Sequence, residues 1–282
     1  MKTREDLFKN IAKGNKDADL KVISLGLGVQ STAVYLMSSM GILPRADVAI
    51  FADPQAEHQK TYDVLKWLQK WKTENNGIEI VVNKDRNLLR DILKKTNSKG
   101  NRWASIPAFG GSGGMVRRQC TAEYKIVPVQ QSTRKLLGLK KRQRMKPTEM
   151  WLGISLDEIQ RMKESQMYNI TYFYPLIYMG MSRKDCIKFF KDNNFPIPVK
   201  SSCVFCPFHS NKFWKEIKEE NGAAWKTSVK VDETIRDSSQ RGLEDPLYLH
   251  RSLIPLKDID FEDRQESLFA DDLFDCEGHC GL

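Results

Sequence analysis

Short apolar runs rich in β-branched residues alternate with amphipathic segments along the first half of the chain. The runs predict strands at residues 21–25, 47–52, 78–82 and 149–153. The amphipathic segments predict helices at residues 31–40, 57–74, 87–95 and 122–137. Strands that are apolar on both faces and separated by helices are typical of a parallel sheet covered on both sides. We therefore expect an α/β fold with a doubly wound, mostly parallel sheet.

The second half of the chain is patterned less regularly. It predicts a helix N-cap at Ser155, an extended piece at 175–177, and helices at 182–193, 213–220 and 225–237. The glycine-rich run 110–114 predicts a mobile loop that could act as a lid. Because no repeat or low-complexity linker interrupts the chain, we divide it into an N-terminal segment (1–19), a main domain (20–210) and a C-terminal extension (211–282), helical at first and irregular at its end.

Composition narrows the class of protein. The chain has 282 residues, of which 40% are hydrophobic and 29% are charged, as in an ordinary globular protein. No apolar run approaches the roughly 20 residues that span a bilayer, and the N-terminus lacks the apolar core of a signal peptide. We therefore expect a soluble cytoplasmic protein without membrane association. In that compartment, a C-x-x-C pair among six cysteines indicates metal or redox chemistry rather than disulfides.

The chain is also basic, with a net charge of +9. A basic stretch, residues 134–146, holds seven Lys or Arg and no acidic residue, whereas the segment after residue 257 is mostly acidic. Concentrated positive charge of this kind suits a polyanion such as nucleic acid. A solvated helix end and loop would show the same pattern, so both interpretations stay open.

The first chemical motif follows the first predicted strand, where Ser24 and Leu25 lead into Gly26-Leu27-Gly28-Val29-Gln30-Ser31. Two glycines allow a sharp turn that can approach a phosphate closely, and the helix that starts here offers N–H groups and a partial positive charge. The motif is not a Walker A loop, since no Gly-Lys follows, and Ser31 stands where a dinucleotide fingerprint has its third glycine. The residues favour phosphate binding over an ordinary tight turn.

This turn resembles the loop of the PP-loop ATP pyrophosphatase family, and within it the phosphoadenylylsulfate (PAPS) reductase-like branch. The family's loop reads S-G-G-x-D-S, and residues 26–31 align with it, with Gly26, Leu27 and Gln30 in place of the first Ser, the first Gly and the Asp. The resemblance covers about residues 20–210 and implies an adenine nucleotide alpha hydrolase-like, Rossmann-like domain that binds ATP or a related adenylyl nucleotide with Mg²⁺. The family's Asp helps to manage the magnesium–pyrophosphate, and Gln30 lacks that carboxylate.

The resemblance implies a set of nucleotide-binding residues, namely Ser24, Gly26, Gly28, Gln30, Ser31, Asp53, Gly153 and Arg161. Asp53 follows the second strand, where such a fold meets the adenosine, although a simple turn aspartate would look the same. Gly153-Ile154-Ser155, followed by Arg161 and Lys163, resembles the family segment whose basic residues face phosphate or sulfate. A surface helix with an Asp157–Arg161 pair is the alternative.

Cysteines supply the most specific motif, Cys203-Val204-Phe205-Cys206. Together with Cys120, this pair resembles the ligands of the [4Fe–4S] cluster in adenylylsulfate reductases. Arg117 and Arg118, just before Cys120, are further candidates for anion binding. Gln119 stands where those enzymes have a second, tandem cysteine, so three ligands match and one iron would be open to hold a sulfide. Zinc bound by the three cysteines and His209 is the alternative, and His209 could instead be a locally hydrogen-bonded histidine.

Two cysteines lie in the acidic tail, at Cys276 and Cys280. The tail resembles the C-terminus of PAPS reductases, whose cysteine attacks the sulfur, and Cys280-Gly281-Leu282 is the best match. A thiol there could carry a persulfide or resolve a disulfide, unless the two cysteines pair with each other. Cys186, on an apolar helix face, is expected to pack in the core.

Together these motifs predict an ATP-dependent sulfur-transfer enzyme acting on DNA or tRNA, similar to the ATP pyrophosphatase component of DNA phosphorothioation systems. Its catalytic candidates are Gln30, Ser31, Arg161 and Cys280. The resemblance implies a cysteine desulfurase or other sulfur donor as a partner, and an oligomer is possible. Two alternatives remain: an adenylylsulfate or PAPS reductase, and a non-catalytic regulator that binds nucleotide and cluster.

Overall fold

The computed structural model describes residues 17–103, 106–111, 114–116, 118–239 and 244–261. Its strands are Leu20–Ser24 (β1), Val48–Ala52 (β2), Glu79–Asn83 (β3), Phe109–Gly110 (β4), Thr148–Leu152 (β5), Ile170–Phe173 (β6) and Leu247–Tyr248 (β7). Its α-helices are Val29–Ser39 (α1), Gln59–Asn75 (α2), Leu88–Leu93 (α3), Val127–Leu136 (α4), Pro175–Tyr178 (α5), Arg183–Asp192 (α6), Asn211–Glu220 (α7) and Ala223–Arg236 (α8). A π-helix, Ala122–Ile126, runs into α4, and 3₁₀ turns cover Leu156–Arg161 and Leu256–Asp258.

Five strands form one parallel sheet in the order β3-β2-β1-β5-β6. In its centre, Ser24 of β1 pairs with Ile50 on one side and Leu152 on the other. The chain therefore builds outward from β1 through β2 and β3, then returns to add β5 and β6 on the opposite side. At such a reversal the loops after β1 and β5 diverge, and the crevice between them is where open α/β sheets bind ligands. The predicted α/β class with a doubly wound parallel sheet is confirmed.

Alternate side chains of the sheet pack into two apolar layers. Ile23 and Trp151 pack with α1, α2 and α6, whereas Val22 and Met150 pack with α4. Every residue of β2 and β5 is buried, which explains why these strands lack a polar alternation in the sequence.

A second apolar core lies beyond the carboxyl ends of β2 and β3. It joins Ala56 and Leu88, which follow those strands, to Trp214 and Ile217 of α7 and Val231 of α8. The short strand β4 pairs antiparallel with β7 in the same region. Helices from the C-terminal part of the chain thus pack on the segment between β3 and α4, at the carboxyl edge of the sheet. The predicted domain division stays a prediction.

Some local predictions were wrong. Strand β6 was not predicted, and the piece 175–177, expected to be extended, is the short helix α5. Proline at the first helical position costs no hydrogen bond and supplies a helical φ, so Pro175 favours this helix start. The predicted loop at 110–114 begins inside β4, where Gly110 pairs with Leu247; residues 112 and 113 lie outside the described residues. In the described ranges, no helix combines the length and apolar character needed to cross a bilayer.

Candidate functional site

The turn after β1 is shaped by its own short contacts. The Gly26 N–H donates to Ser31 Oγ over 3.1 Å, and that hydroxyl lies 3.4 Å from the Gly28 carbonyl, to which it donates. Leu27 sits between them at φ 60°, in the left-handed region, with its side chain fully buried. Because a non-glycine residue costs about 1–2 kcal/mol in that conformation, burial of the leucine side chain must hold it there. Helix α1 then begins at Val29, so its first N–H groups lie at the crevice.

Gly153, directly after β5, packs against this turn. A Cβ added to Gly153 would lie 2.6 Å from Ser31 N and 2.7 Å from Ser31 Cα, closer than real side chains come to backbone. The loops after β1 and β5, which diverge where the strand order reverses, therefore contact each other at Gly153. The structure thus brings together Gly26, Gly28, Ser31 and Gly153, all expected at the nucleotide site.

Gln30 joins the turn to a polar network rather than standing open. Its amide Nε2 donates to Glu158 Oε2 over 3.2 Å and approaches Ser155 Oγ at 3.4 Å, while its Oε1 accepts from Arg183 Nη1 over 3.1 Å. Arg161 forms a 2.8 Å ion pair with Glu158, so the alternative Asp157–Arg161 pair does not account for its position. Two arginines and one carboxylate thus flank the turn, linked through Gln30. Ser155 is the N-cap residue of the 3₁₀ turn, as predicted.

Asp53 lies at the carboxyl end of β2, as expected. Its Oδ1 accepts from the Gln55 N–H over 2.7 Å and from the Tyr62 hydroxyl over 2.9 Å. These bonds are those of the turn aspartate that was the alternative interpretation, and they leave the adenosine role a prediction. Ser24, the last residue of β1, sits between β2 and β5 beside the glycine turn.

The three cysteines expected to bind metal lie around one narrow cavity. Cys120, Cys203 and Cys206 line a space of about 30 Å³ together with Tyr124 and Lys125, and its remaining walls are largely apolar. Cys120 comes just before the π-helix, while Cys203 and Cys206 lie on the loop before α7. The fold therefore brings segments that are more than 80 residues apart in sequence to one cavity, as the predicted ligand set requires.

Glu57 connects the two cysteine-bearing segments, and sequence reasoning missed it. Its side chain is fully buried; Oε1 pairs with Lys125 Nζ at 2.9 Å, and Oε2 accepts from Ser201 Oγ at 3.1 Å. Its backbone also forms a β-bridge with Cys203. One carboxylate thus ties the helix after Cys120 to the loop that holds the other two thiols. In sequence Glu57 looks like an ordinary acidic residue at the start of the predicted helix 57–74, since only the distant pairing buries it.

The cysteine loop also lies against the glycine turn. A Cβ built on Gly28 would be 3.9 Å from Ser201 N, two residues before Cys203. Within the loop, the Cys206 N–H donates to the Cys203 carbonyl over 2.9 Å, which makes a tight turn of the C-x-x-C motif. The glycine turn and the thiol loop are consequently neighbours at the same edge of the sheet.

His209 is engaged away from the thiols. Its Nε2 lies 2.8 Å from the Cys203 carbonyl, and its ring stacks on Phe213 with centroids 3.6 Å apart. It lines a separate cavity of about 240 Å³ with His58, and burial lowers the pKa of His209 to about 3. A neutral ring therefore donates to the carbonyl through Nε2. Hydrogen bonding to the local loop, one of the two interpretations of His209, is what the structure shows.

The environment of the Cys203 thiol disfavours its ionised form. Burial raises the pKa of the Cys203 thiol well above its ordinary value, and the Glu57 carboxylate adds to this, while Lys125 opposes it. Across the described ranges, no group of three or more His, Cys, Asp or Glu side chains forms a ready-made site for a single metal ion. Three thiols are nevertheless a donor set that suits iron–sulfur clusters or zinc.

Several predicted residues fall elsewhere. Cys276 and Cys280 lie outside the described residues, as does Arg117, and Arg118 lies over the Phe208 ring at 5.8 Å. Cys186 is fully buried beside Phe189 and Phe190, as expected for a core residue.

Comparisons with known proteins assign no family. No family model matches the chain, and no curated protein matches it. A solved structure of phosphoadenylyl-sulfate (PAPS) reductase from Candida auris, a phosphate complex, is similar at 13% sequence identity, covering 70% of this chain and 90% of that one, with a TM-score of 0.40. A similarity of this size identifies no activity, so the site is interpreted from its own geometry.

Proposed function

We propose that this protein is an ATP-dependent sulfur-transfer enzyme that modifies nucleic acid. The observation that carries the proposal is the convergence of cysteines from two distant segments on one cavity, where one of those segments is the loop that touches the glycine turn. A phosphate-binding turn and a thiol cluster at one edge of a parallel sheet bring an activating nucleotide and a sulfur source within reach of one acceptor.

The nucleotide's phosphates would lie over the glycine turn at the start of α1. Free N–H groups and the helix dipole favour negative charge there, and Arg161 and Arg183 flank the turn. In this proposal Asp53, which follows β2 at the same edge of the sheet, would face the adenosine. In this arrangement Gln30 holds the arginines in register instead of supplying a carboxylate for Mg²⁺.

Cys120, Cys203 and Cys206 would hold a [4Fe–4S] cluster through three of its irons. These residues suit a cluster better than they suit a zinc ion. His209, the fourth ligand of the zinc alternative, donates to the Cys203 carbonyl and faces another cavity. When bound, a cluster with one open iron supplies a site for the sulfide that is transferred. Glu57 and Lys125 fix the spacing of the thiols and balance charge beside them.

The reaction class follows from these parts. The acceptor oxygen attacks the α-phosphorus of ATP and pyrophosphate leaves; a sulfur nucleophile then displaces AMP from the activated acceptor. The net charge of +9 and the basic stretch favour a polyanionic acceptor, DNA or tRNA.

Pyrophosphate release tests this proposal. Protein reconstituted anaerobically with iron and sulfide is expected to release pyrophosphate from ATP faster when DNA or RNA is present. Cys203→Ala should still release pyrophosphate but lose incorporation of sulfur into the nucleic acid, because the thiol site acts after adenylylation, whereas the matched control Cys186→Ala, a buried thiol outside the site, should retain both. ATP binding without pyrophosphate release under any of these conditions would rule out ATP-dependent sulfur transfer and leave the reductase and the non-catalytic regulator, which sulfite release distinguishes.

A second function, reduction of adenylylsulfate or PAPS, is favoured by Gln30. A reductase does not release pyrophosphate and so does not need a carboxylate at that position, and here the position is an amide held by Glu158 and Arg183. Sulfite release from either sulfonucleotide in the presence of a thiol reductant would identify this activity.

A further inference from the structure

The loop that carries most of the basic stretch, residues 137–146, leads to the edge of the sheet opposite the site. The first two turns of α4 lie beside the end of β3 at the carboxyl edge, where Asn83 Nδ2 donates to Ser132 Oγ over 2.9 Å and to the Pro128 carbonyl over 3.4 Å, and the chain then returns toward the amino edge. The chain re-enters the sheet at Thr148, and the Asp19 N–H donates to the Pro147 carbonyl just before the strands begin. With about 3.3 Å per residue in a strand, the end of the basic stretch and the glycine turn are roughly 20 Å apart along the strands.

The loop after α4 is built by its own hydrogen bonds. Arg134 Nη2 donates to the carbonyls of Lys140 and Gln143, each over 2.9 Å, and the Leu139 N–H donates back to the Arg134 carbonyl. Arg134 is thus committed to holding the loop closed. The remaining cations of the stretch are exposed, namely Lys135, Lys140, Lys141, Arg142, Arg144 and Lys146. A closed loop that presents cations outward loses little freedom when it meets a phosphodiester chain.

An exposed aromatic ring completes this surface. Tyr168 precedes β6, is 63% exposed, and lies under the Arg144 guanidinium at 5.8 Å from its centroid. The Asn169 side chain ties the segment to the loop by donating to the Met145 carbonyl over 2.9 Å. An aromatic face beside clustered cations is the arrangement on which unpaired bases stack while phosphates meet Lys and Arg.

We propose that this basic loop, residues 134–146 with Tyr168, is a docking surface for single-stranded nucleic acid, remote from the reaction site. The choice of partner rests on the proposed function, which it deepens: the acceptor is anchored at the amino edge while another part of the same strand reaches the carboxyl edge. A strand of about ten nucleotides or more is long enough to span both.

Fluorescence anisotropy with labelled strands of about 20 nucleotides tests the docking surface. Lys140→Gln/Lys141→Gln should weaken binding of single-stranded DNA and RNA about tenfold and lower the slope of log affinity against log salt by about 1.4. The matched control, Lys226→Gln/Lys230→Gln on exposed positions of α8, changes net charge equally and should bind like the wild type. Equal losses in the two pairs would overturn the assignment of the surface.

Stacking is tested separately with Tyr168→Leu and Tyr168→Phe. The leucine variant should bind the single strand about tenfold more weakly and a duplex unchanged, and the phenylalanine variant should match the wild type. Equal binding of duplex and single strand, indifferent to the leucine substitution, would overturn the single-strand assignment. ATP binding and iron content are measured on the same proteins to separate the two proposals. A wild-type protein that binds ATP and iron but no nucleic acid at low salt would overturn the docking surface. That result would not contradict the nucleotide and thiol site.

Discussion

The two edges of the parallel sheet use charge in opposite ways. At the carboxyl edge, Glu57 is fully buried and paired with Lys125, and Gln30 links Glu158 to Arg183 beside the glycine turn. At the amino edge, the cations of residues 134–146 stand in solvent on a loop closed by Arg134. Buried, paired charges hold groups in fixed positions, whereas exposed cations attract a mobile polyanion. The two proposals accordingly assign chemistry to the first edge and recognition to the second.

The buried pair gives the largest expected effect. Glu57→Gln removes the buried carboxylate that pairs with Lys125, whose side chain is only 15% exposed, and the free energy of unfolding should fall by about 3 kcal/mol. Glu57→Gln/Lys125→Met removes both charges and should recover much of the loss. Chemical denaturation of the two variants measures this.

An exposed ion pair supplies the control for that comparison. Glu233 pairs with Lys257 over 3.0 Å, with both side chains more than half exposed, so Glu233→Gln should lower stability far less than Glu57→Gln. If the Glu57 and Glu233 substitutions cost the same, Glu57 does not hold the cysteine segments together.

The contact between the loops after β1 and β5 gives the second-largest expected loss of stability. In Gly153→Ala, the new Cβ would collide with the Ser31 backbone, so we expect a loss of about 2 kcal/mol in stability and at least about tenfold in ATP affinity. Gly222→Ala, whose Cβ would meet a single atom at 4.0 Å, is the control. Calorimetric titration measures the ATP affinity. An unchanged affinity in Gly153→Ala would show that ATP does not bind at this turn.

The smallest effect concerns pH and the second core that supports the thiols. Burial lowers the pKa of His250 from 6.5 to about 4, and its ring bonds with Asn211 Oδ1 and Ser252. Between these two pH values His250 is protonated in the unfolded chain and neutral in the folded protein. The free energy of unfolding therefore falls as the pH falls. At pH 5.5 the loss relative to pH 7 is about 1 kcal/mol.

A His250→Gln variant isolates that contribution. Its denaturation midpoint should fall less between pH 7 and pH 5.5 than that of the wild type. The same acid sensitivity in both proteins would assign the effect to other groups.

Local sequence patterns predicted most of the fold because each central strand and helix carries its own apolar periodicity. The failures share a cause. β6 is an edge strand with one exposed and one half-exposed residue, so its apolar signal is weak, and Pro175 was taken as a strand residue although it suits a helix start equally well.

The chemistry was predicted where the motif is local and missed where it depends on tertiary contact. Gly26 to Ser31 and Cys203 to Cys206 are contiguous motifs, so their roles could be inferred from spacing. Glu57 and Lys125 acquire their roles only when the loop before α7 pairs with the segment between β2 and α2. The position of the basic stretch relative to the site likewise depends on the direction of α4, which no sequence motif encodes.

Metal analysis after anaerobic reconstitution tests the central claim, that thiols from two distant segments form one cluster site beside the glycine turn. The account predicts about four iron and four sulfide per chain with a broad visible absorbance, lost in Cys120→Ala, Cys203→Ala and Cys206→Ala and kept in Cys186→Ala. Iron binding that survives replacement of any one of the three cysteines, or zinc bound without iron or sulfide, would contradict it.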